Sequence, residues 1–313
     1  MKHFLRKSLF ILYPLVVYLL LIFLVPKLVK TQSAIPAAFL QKLNESNLLV
    51  CGDSRANRQI DPAILHKNTN LQVLNFSKDA WNLYAVAKVL KAADCQNKII
   101  LISVSAYQIN DGALDDGYLG LDCYRDLTFA EQFQLYKFRW FNWILIQDRL
   151  FKRTLFDNNF VSTFGNYSRT LNKEYLPQLC KKFSANLKIA FNHPWYENHQ
   201  NKGIKAELLS KGLANLASLK NCKIMVFNGP ISKDFEALSS HFHIAETEHE
   251  MDTFLADACK KVGISYVSYF DDESMKNNLY YNDIQHLCGT GAEIFTQKIS
   301  QRLQEENILP VSN

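Results

Sequence analysis

Two short segments hold residue types that together can do acyl chemistry. Gly52-Asp53-Ser54-Arg55 lies in the first third of the chain, and Tyr281-Asn282-Asp283-Ile284-Gln285-His286 lies near its end. A serine hydroxyl is a poor nucleophile until a neighbouring base takes its proton. Histidine suits that task because its ordinary pKa lies near neutrality. A carboxylate bonded to the second ring nitrogen holds the tautomer and stabilises the imidazolium. An aspartate three residues before a histidine, on a short loop, can reach back to that nitrogen. The expected roles are therefore Ser54 as nucleophile, His286 as base and Asp283 as its orienting partner. His193 and His199 are the rival bases, and each reads more readily as a surface or cap residue.

These residues need elements to position them. Residues 47–51 form a short apolar run that stops at Gly52-Asp53-Ser54, which predicts a buried strand ending in a turn. Further strands are predicted at 71–76, 98–104, 223–227 and 264–269. Helical spacing recurs at Leu83, Val86 and Leu90, across 208–219, at Met251, Phe254, Leu255, Ala258 and Val262, and at Ala292, Phe295, Ile299 and Leu303. Strands alternating with helices predict an α/β fold, a parallel sheet covered on both faces. Ligands in such sheets bind at the carboxyl ends of the strands, where Ser54 falls.

Both motifs resemble those of the SGNH (GDSL-type) hydrolases. That family opens with a Gly-Asp-Ser turn after its first strand. It closes with Asp-x-x-His, followed by Leu and a glycine that starts the last helix, as in Asp283-x-x-His286-Leu287-Cys288-Gly289. The resemblance implies a three-layer, flavodoxin-like α/β domain and ester chemistry; no cofactor or metal is expected, since His and carboxylates do not cluster at ligand spacing. It also implies an oxyanion hole made by the Ser54 N–H, a second-motif N–H and a third-motif side chain. The second motif, Asn75-Phe-Ser-Lys-Asp-Ala80, has Ala80 where the family has glycine. The third, Gly-x-Asn, is missing: Ser105-Ala106-Tyr107 stands there, so the third donor is Tyr107, Ser105 or nothing.

Residues 8–26 form an uncharged, apolar run of 19 residues, preceded by Lys2, Arg6 and Lys7 and followed by Lys27 and Lys30. As a helix it would span on the order of 28 Å, enough to cross a bilayer core. A single-pass anchor over 1–30 is expected, with a cleaved signal peptide as the alternative. Residues 31–46 read as a linker and 47–313 as one domain outside the cytoplasm. With the anchor, the chain resembles a membrane-bound SGNH branch that includes the D-alanyl-lipoteichoic acid transfer proteins. That implies as partners an acylated glycan or lipid, the membrane and a membrane-bound O-acyltransferase.

An insert at about 122–200 breaks the alternation and is dense in aromatic residues, Trp140 and Trp143 among them, with interleaved cations. It reads either as ordinary helical core or as a cap over the active edge, with Trp140 and Trp143 lining a substrate channel. The net charge of +5 is mild and spread along the chain, which argues against nucleic acid as a partner. Seven cysteines leave at least one unpaired within the chain. Cys51 and Cys222 read as small buried hydrophobes, and Cys123 and Cys180 as a pair that an oxidising compartment would permit. Two functions of different class remain: a serine esterase or O-acyltransferase, and an idle scaffold that keeps the triad as structure and binds glycan or a membrane-bound O-acyltransferase.

Overall fold

Five strands are apolar at alternate or successive positions, and each sends its side chains into two separate cores. The computed structural model describes residues 12–14, 16–17, 35, 37–77, 81–109, 128, 130–131, 203–237, 244–283 and 285–309. Strands β1 (Leu48–Gly52), β2 (Val73–Asn75), β3 (Ile99–Ser103), β4 (Lys223–Asn228) and β5 (Ser265–Ser268) form one sheet in the order β2-β1-β3-β4-β5. All four pairings are parallel. Successive strand side chains point to opposite faces. Thus Leu49, Cys51, Ile100, Ile102, Ile224 and Val226 enter one core, and Leu48, Val50, Ile99, Leu101, Met225 and Phe227 enter the other.

The helices cover both faces. On the first lie α1 (Ala37–Glu45), α4 (Leu83–Ala92), α5 (Ile204–Ala217) and α7 (Ile244–Val262). On the second lie α2 (Ser54–Gln59), α3 (Pro62–Thr69) and α8 (Gly289–Glu305). The short α6 (Lys233–Ala237) buries Phe235 against the first core. The strand order reverses direction between β1 and β3. In a doubly wound sheet the crevice beyond the carboxyl ends at that point is where ligands bind.

One expectation is corrected. Residues 37–45, read as part of a linker, are helix α1, with Phe39 and Leu43 fully inside the first core. The two residues lie four apart and so share one helix face. Phe39 meets the Phe76 ring edge-on at 5.4 Å between centroids. The folded unit therefore begins before residue 47. Of the predicted anchor, only residues 12–14, 16 and 17 are described, and the rest lies outside the described residues. Among the described residues no helix is long and apolar enough to cross a membrane. The aromatic insert with Trp140 and Trp143, together with His193, His199, Cys123 and Cys180, likewise lies outside the described residues.

Gly52 ends β1 at φ +122°, and a Cβ there would sit 2.5 Å from the Ser103 carbonyl oxygen across the sheet. Only glycine fits both the dihedral and the approach. Gly52→Ala is expected to cost about 2–4 kcal/mol, from strain and overpacking together. Urea unfolding with an unchanged slope and a lowered midpoint would show it. A midpoint equal to wild type would mean that the β1–β3 contact is looser than this.

Candidate active site

The end of β1 hands the chain directly to a helix start. Asp53 caps α2, its Oδ1 accepting from the Arg55 N–H at 3.0 Å. This cap satisfies one of the otherwise unpaired N–H groups of the first turn. The same carboxylate is fully buried and takes three side-chain donors: Ser103 Oγ at 3.1 Å, Ser105 Oγ at 2.5 Å and Gln108 Nε2 at 3.2 Å. Gln108 Oε1 in turn accepts from the Leu83 N–H at 3.0 Å. Asp53 therefore ties the turn to the end of β3 and, through Gln108, to α4. Ser54 is the first residue of α2, held by its neighbour on one side and by the helix on the other.

The second segment is a narrow loop on α8. Tyr281 and Leu287 form an antiparallel bridge, and the Asn282 N–H donates to the His286 carbonyl at 2.8 Å. Gly291 lets the loop lie close, since a Cβ there would meet the Tyr280 carbonyl oxygen at 2.3 Å. Gln59 Nε2 donates to the Gln285 carbonyl at 2.8 Å, so α2 fastens the loop from the other side.

Between the two segments runs an unbroken hydrogen-bond chain. His286 Nε2 lies 2.8 Å from Ser54 Oγ. His286 Nδ1 lies 2.7 Å from Asp283 Oδ2 and 2.9 Å from Oδ1. Asp283 Oδ1 also accepts the N–H groups of Gln285 at 3.0 Å and His286 at 2.8 Å. Burial alone would raise the Asp283 pKa. The His286 ring and the two N–H donors outweigh it and hold the carboxyl below its ordinary value. An ionised carboxylate only accepts, so Nδ1 carries the proton and Nε2 is free to accept from the Ser54 hydroxyl.

That depression has a consequence for stability. The folded-state pKa of Asp283 is lowered, so its contribution is present above the ordinary aspartate value and is lost as pH falls through the lowered one. Asp283→Asn should be less stable than wild type at neutral pH. The gap should close on acidification below the ordinary aspartate range. Denaturation midpoints of both proteins across pH check this, and a gap that stays constant into strong acid would contradict it.

Beneath the triad lies a polar network that the sequence reading did not reach. Arg55 is buried, and its Nη2 lies 3.1 Å from the buried carboxylate of Glu248. Its Nη1 donates to Asn228 Oδ1 at 2.7 Å and to the Gly229 carbonyl at 3.4 Å, and Nη2 also reaches Gln285 Oε1 at 3.4 Å. Asn228 Nδ2 donates to Glu248 Oε2 at 3.0 Å and to Asp252 Oδ1 at 3.0 Å. Asp252 also accepts from the Tyr266 and Ser268 hydroxyls. Arg55, the residue after Ser54, thus ties α2 to β4, to α7 and to the residue before His286. The only signal in the sequence was its place in Gly52-Asp53-Ser54-Arg55, which says nothing of burial.

Of the oxyanion donors expected from sequence, the Ser54 N–H sits in the first turn of α2, at the carboxyl end of β1. Ala80 lies outside the described residues, and for Tyr107 only the backbone is described, in the turn Ala106–Gln108. Ser105 is engaged elsewhere, its hydroxyl donating to Asp53. Asn75, from the second motif, clasps α2 by donating to the Ala56 carbonyl at 3.2 Å and accepts the Ser77 N–H at 3.1 Å. Among the described residues no group of three or more His, Cys, Asp and Glu side chains is placed to hold a metal ion.

No protein-family model matches this chain, and no curated protein does. Its function therefore has to be read from the site itself.

Proposed function

We propose that the chain is a serine esterase or O-acyltransferase of the SGNH type, working on ester-linked acyl groups. The observation that supports it is the continuous Asp283–His286–Ser54 hydrogen-bond chain at the carboxyl end of β1. In this reading Ser54 Oγ attacks the acyl carbonyl as His286 Nε2 takes its proton. Asp283 stabilises the imidazolium that forms. The developing oxyanion is met by the Ser54 N–H, a donor that strengthens as charge accumulates. Collapse expels the alcohol, which takes the proton back from His286. Water or a second alcohol then resolves the acyl-enzyme, activated by the same histidine.

The substrate class follows from the sequence resemblance: acyl groups of envelope glycans or lipids. The apolar run at 8–26 supports a domain held at a membrane on its extracytoplasmic side, and the resemblance supports a membrane-bound O-acyltransferase as its neighbour. One observation favours the alternative, an idle scaffold. The segment after β3 spends Ser105 and Gln108 on Asp53, and no third-motif asparagine stands there. A fluorophosphonate probe separates the two. The folded full-length protein should be labelled at Ser54, identified by peptide mass, and heat-denatured protein should not be. Folded protein that stays unlabelled would favour the scaffold.

A further inference from the structure

Two thiols meet at the end of the sheet opposite Ser54. Cys95 follows α4, and Cys222 immediately precedes β4, whose register pairs Lys223 with Ile99 of β3. The two approaches are bound together. The Asn97 N–H donates to the Lys220 carbonyl at 3.0 Å, the Lys223 N–H to the Lys98 carbonyl at 2.9 Å, and Asn221 Nδ2 to Asn97 Oδ1 at 3.1 Å. Cys222 Sγ lies 3.8 Å from the Cys95 carbonyl oxygen, which places the two cysteines side by side. Cys95 is buried, and Cys222 is half-exposed at the rim of the same apolar core. Sequence reading had made Cys222 an ordinary buried hydrophobe, and the structure corrects this.

We propose that Cys95 and Cys222 are a thiol–disulfide exchange site, closed into an intramolecular disulfide by an external disulfide such as oxidised glutathione or the disulfide of an oxidoreductase. Attack falls to Cys222. The neighbouring Cys95 thiol, with backbone N–H groups and Lys98 close by, holds its pKa down to about 7. Its thiolate attacks one sulfur of the external disulfide, forms a mixed disulfide and releases the other half as a thiol. Cys95 then gives up its proton, attacks the Cys222 sulfur and releases the second half. Two protein thiols and one disulfide thus become one protein disulfide and two small thiols. As the attacking thiol, Cys51, Cys95 and Cys259 are poorer candidates: burial pushes Cys51 up and Cys259 up to about 12, and the neighbouring Cys222, together with burial, pushes Cys95 up.

The bond would join the amino ends of β3 and β4, the two strands between which residues 104–222 run. It would close that long section into a loop, far from the carboxyl ends where the triad sits. A cross-link over so long a loop restricts mainly the unfolded chain. The site is thus a staple on the fold, and it works whether or not Ser54 is a nucleophile.

Full-length protein, reduced and then exposed to oxidised glutathione at mildly alkaline pH, tests this. Remaining thiols are alkylated and peptides mapped without reduction. A cross-linked peptide joining Cys95 to Cys222 is expected, with a rise in melting temperature of about 3–8 °C that dithiothreitol reverses. Cys222→Ser should abolish both. Cys95→Ser should leave a stable mixed disulfide at Cys222 and move the midpoint of its alkylation rate against pH upward. If Cys95→Ser fails to fold, the half-buried Cys222→Ser and the wild-type map still decide. Both thiols remaining alkylatable, or a cross-link between a different pair, would overturn the proposal.

Discussion

Ser54→Ala should lower kcat for cleavage of a small aryl ester by roughly 10⁵–10⁶-fold while leaving the unfolding free energy within about 0.5 kcal/mol of wild type. The hydroxyl is half-buried at the first turn of α2, and its hydrogen-bond partner in the structure is His286 Nε2. Without it that nitrogen faces space a water can fill, and the cap by Asp53 is untouched. His286→Ala should lose nearly as much, and the double variant little more, because nucleophile and base act as one unit. Single-turnover and steady-state rates on the purified full-length chain measure all three. A Ser54→Ala protein that kept its rate would remove Ser54 as the nucleophile. Additive losses in the double variant would show that His286 acts on something other than the Ser54 proton.

Arg55→Met should destabilise the fold by about 3–5 kcal/mol, the range for removing one partner of a buried ion pair. The side chain is 1% exposed and Glu248 0%, so solvent cannot take over the carboxylate when the guanidinium goes. Methionine keeps much of the volume, so the loss reads charge rather than cavity. The double variant Arg55→Met/Glu248→Leu should recover a large part, since neither charge is then left stranded. Denaturant midpoints of the four proteins form the cycle. Activity should fall further than the folded fraction does, because Arg55 also holds Gln285 next to His286. An Arg55→Met protein within 1 kcal/mol of wild type would mean that the pair is hydrated and adds little.

Much of this was legible before any coordinates. Apolar runs marked the central strands β1, β3 and β4, because a strand buried on both faces has to be apolar almost throughout. Mixed or alternating runs marked the edge strands β2 and β5, and all five were placed within a few positions of where they lie. Stripes at helical spacing marked α4, α5, α7 and α8. The helix α1 was missed because a single pair, Phe39 and Leu43, is too little periodicity without the core that receives it. The short helices α2 and α3 carry caps at Asp53 and Asp61 but almost no apolar stripe, so they too depended on their setting.

The candidate site divides along the same line. The pairing of Asp283 with His286 is a property of the sequence, since three residues on a tight loop bring carboxylate and ring together by local geometry alone. So is the placing of Ser54 after a glycine that ends a buried strand. The meeting of Ser54 with His286 is not. The two are 232 positions apart, and only the order β2-β1-β3 and the docking of α8 beside α2 bring them to 2.8 Å. The same holds for Arg55, whose ion-pair partner Glu248 lies 193 positions away, and for Cys95 beside Cys222 at 127. Backbone dihedrals and spacing encode contacts within a turn or two. Which distant groups share a buried polar site is decided by how the whole sheet closes its two cores, because each buried charge needs a partner that only the assembled fold can supply.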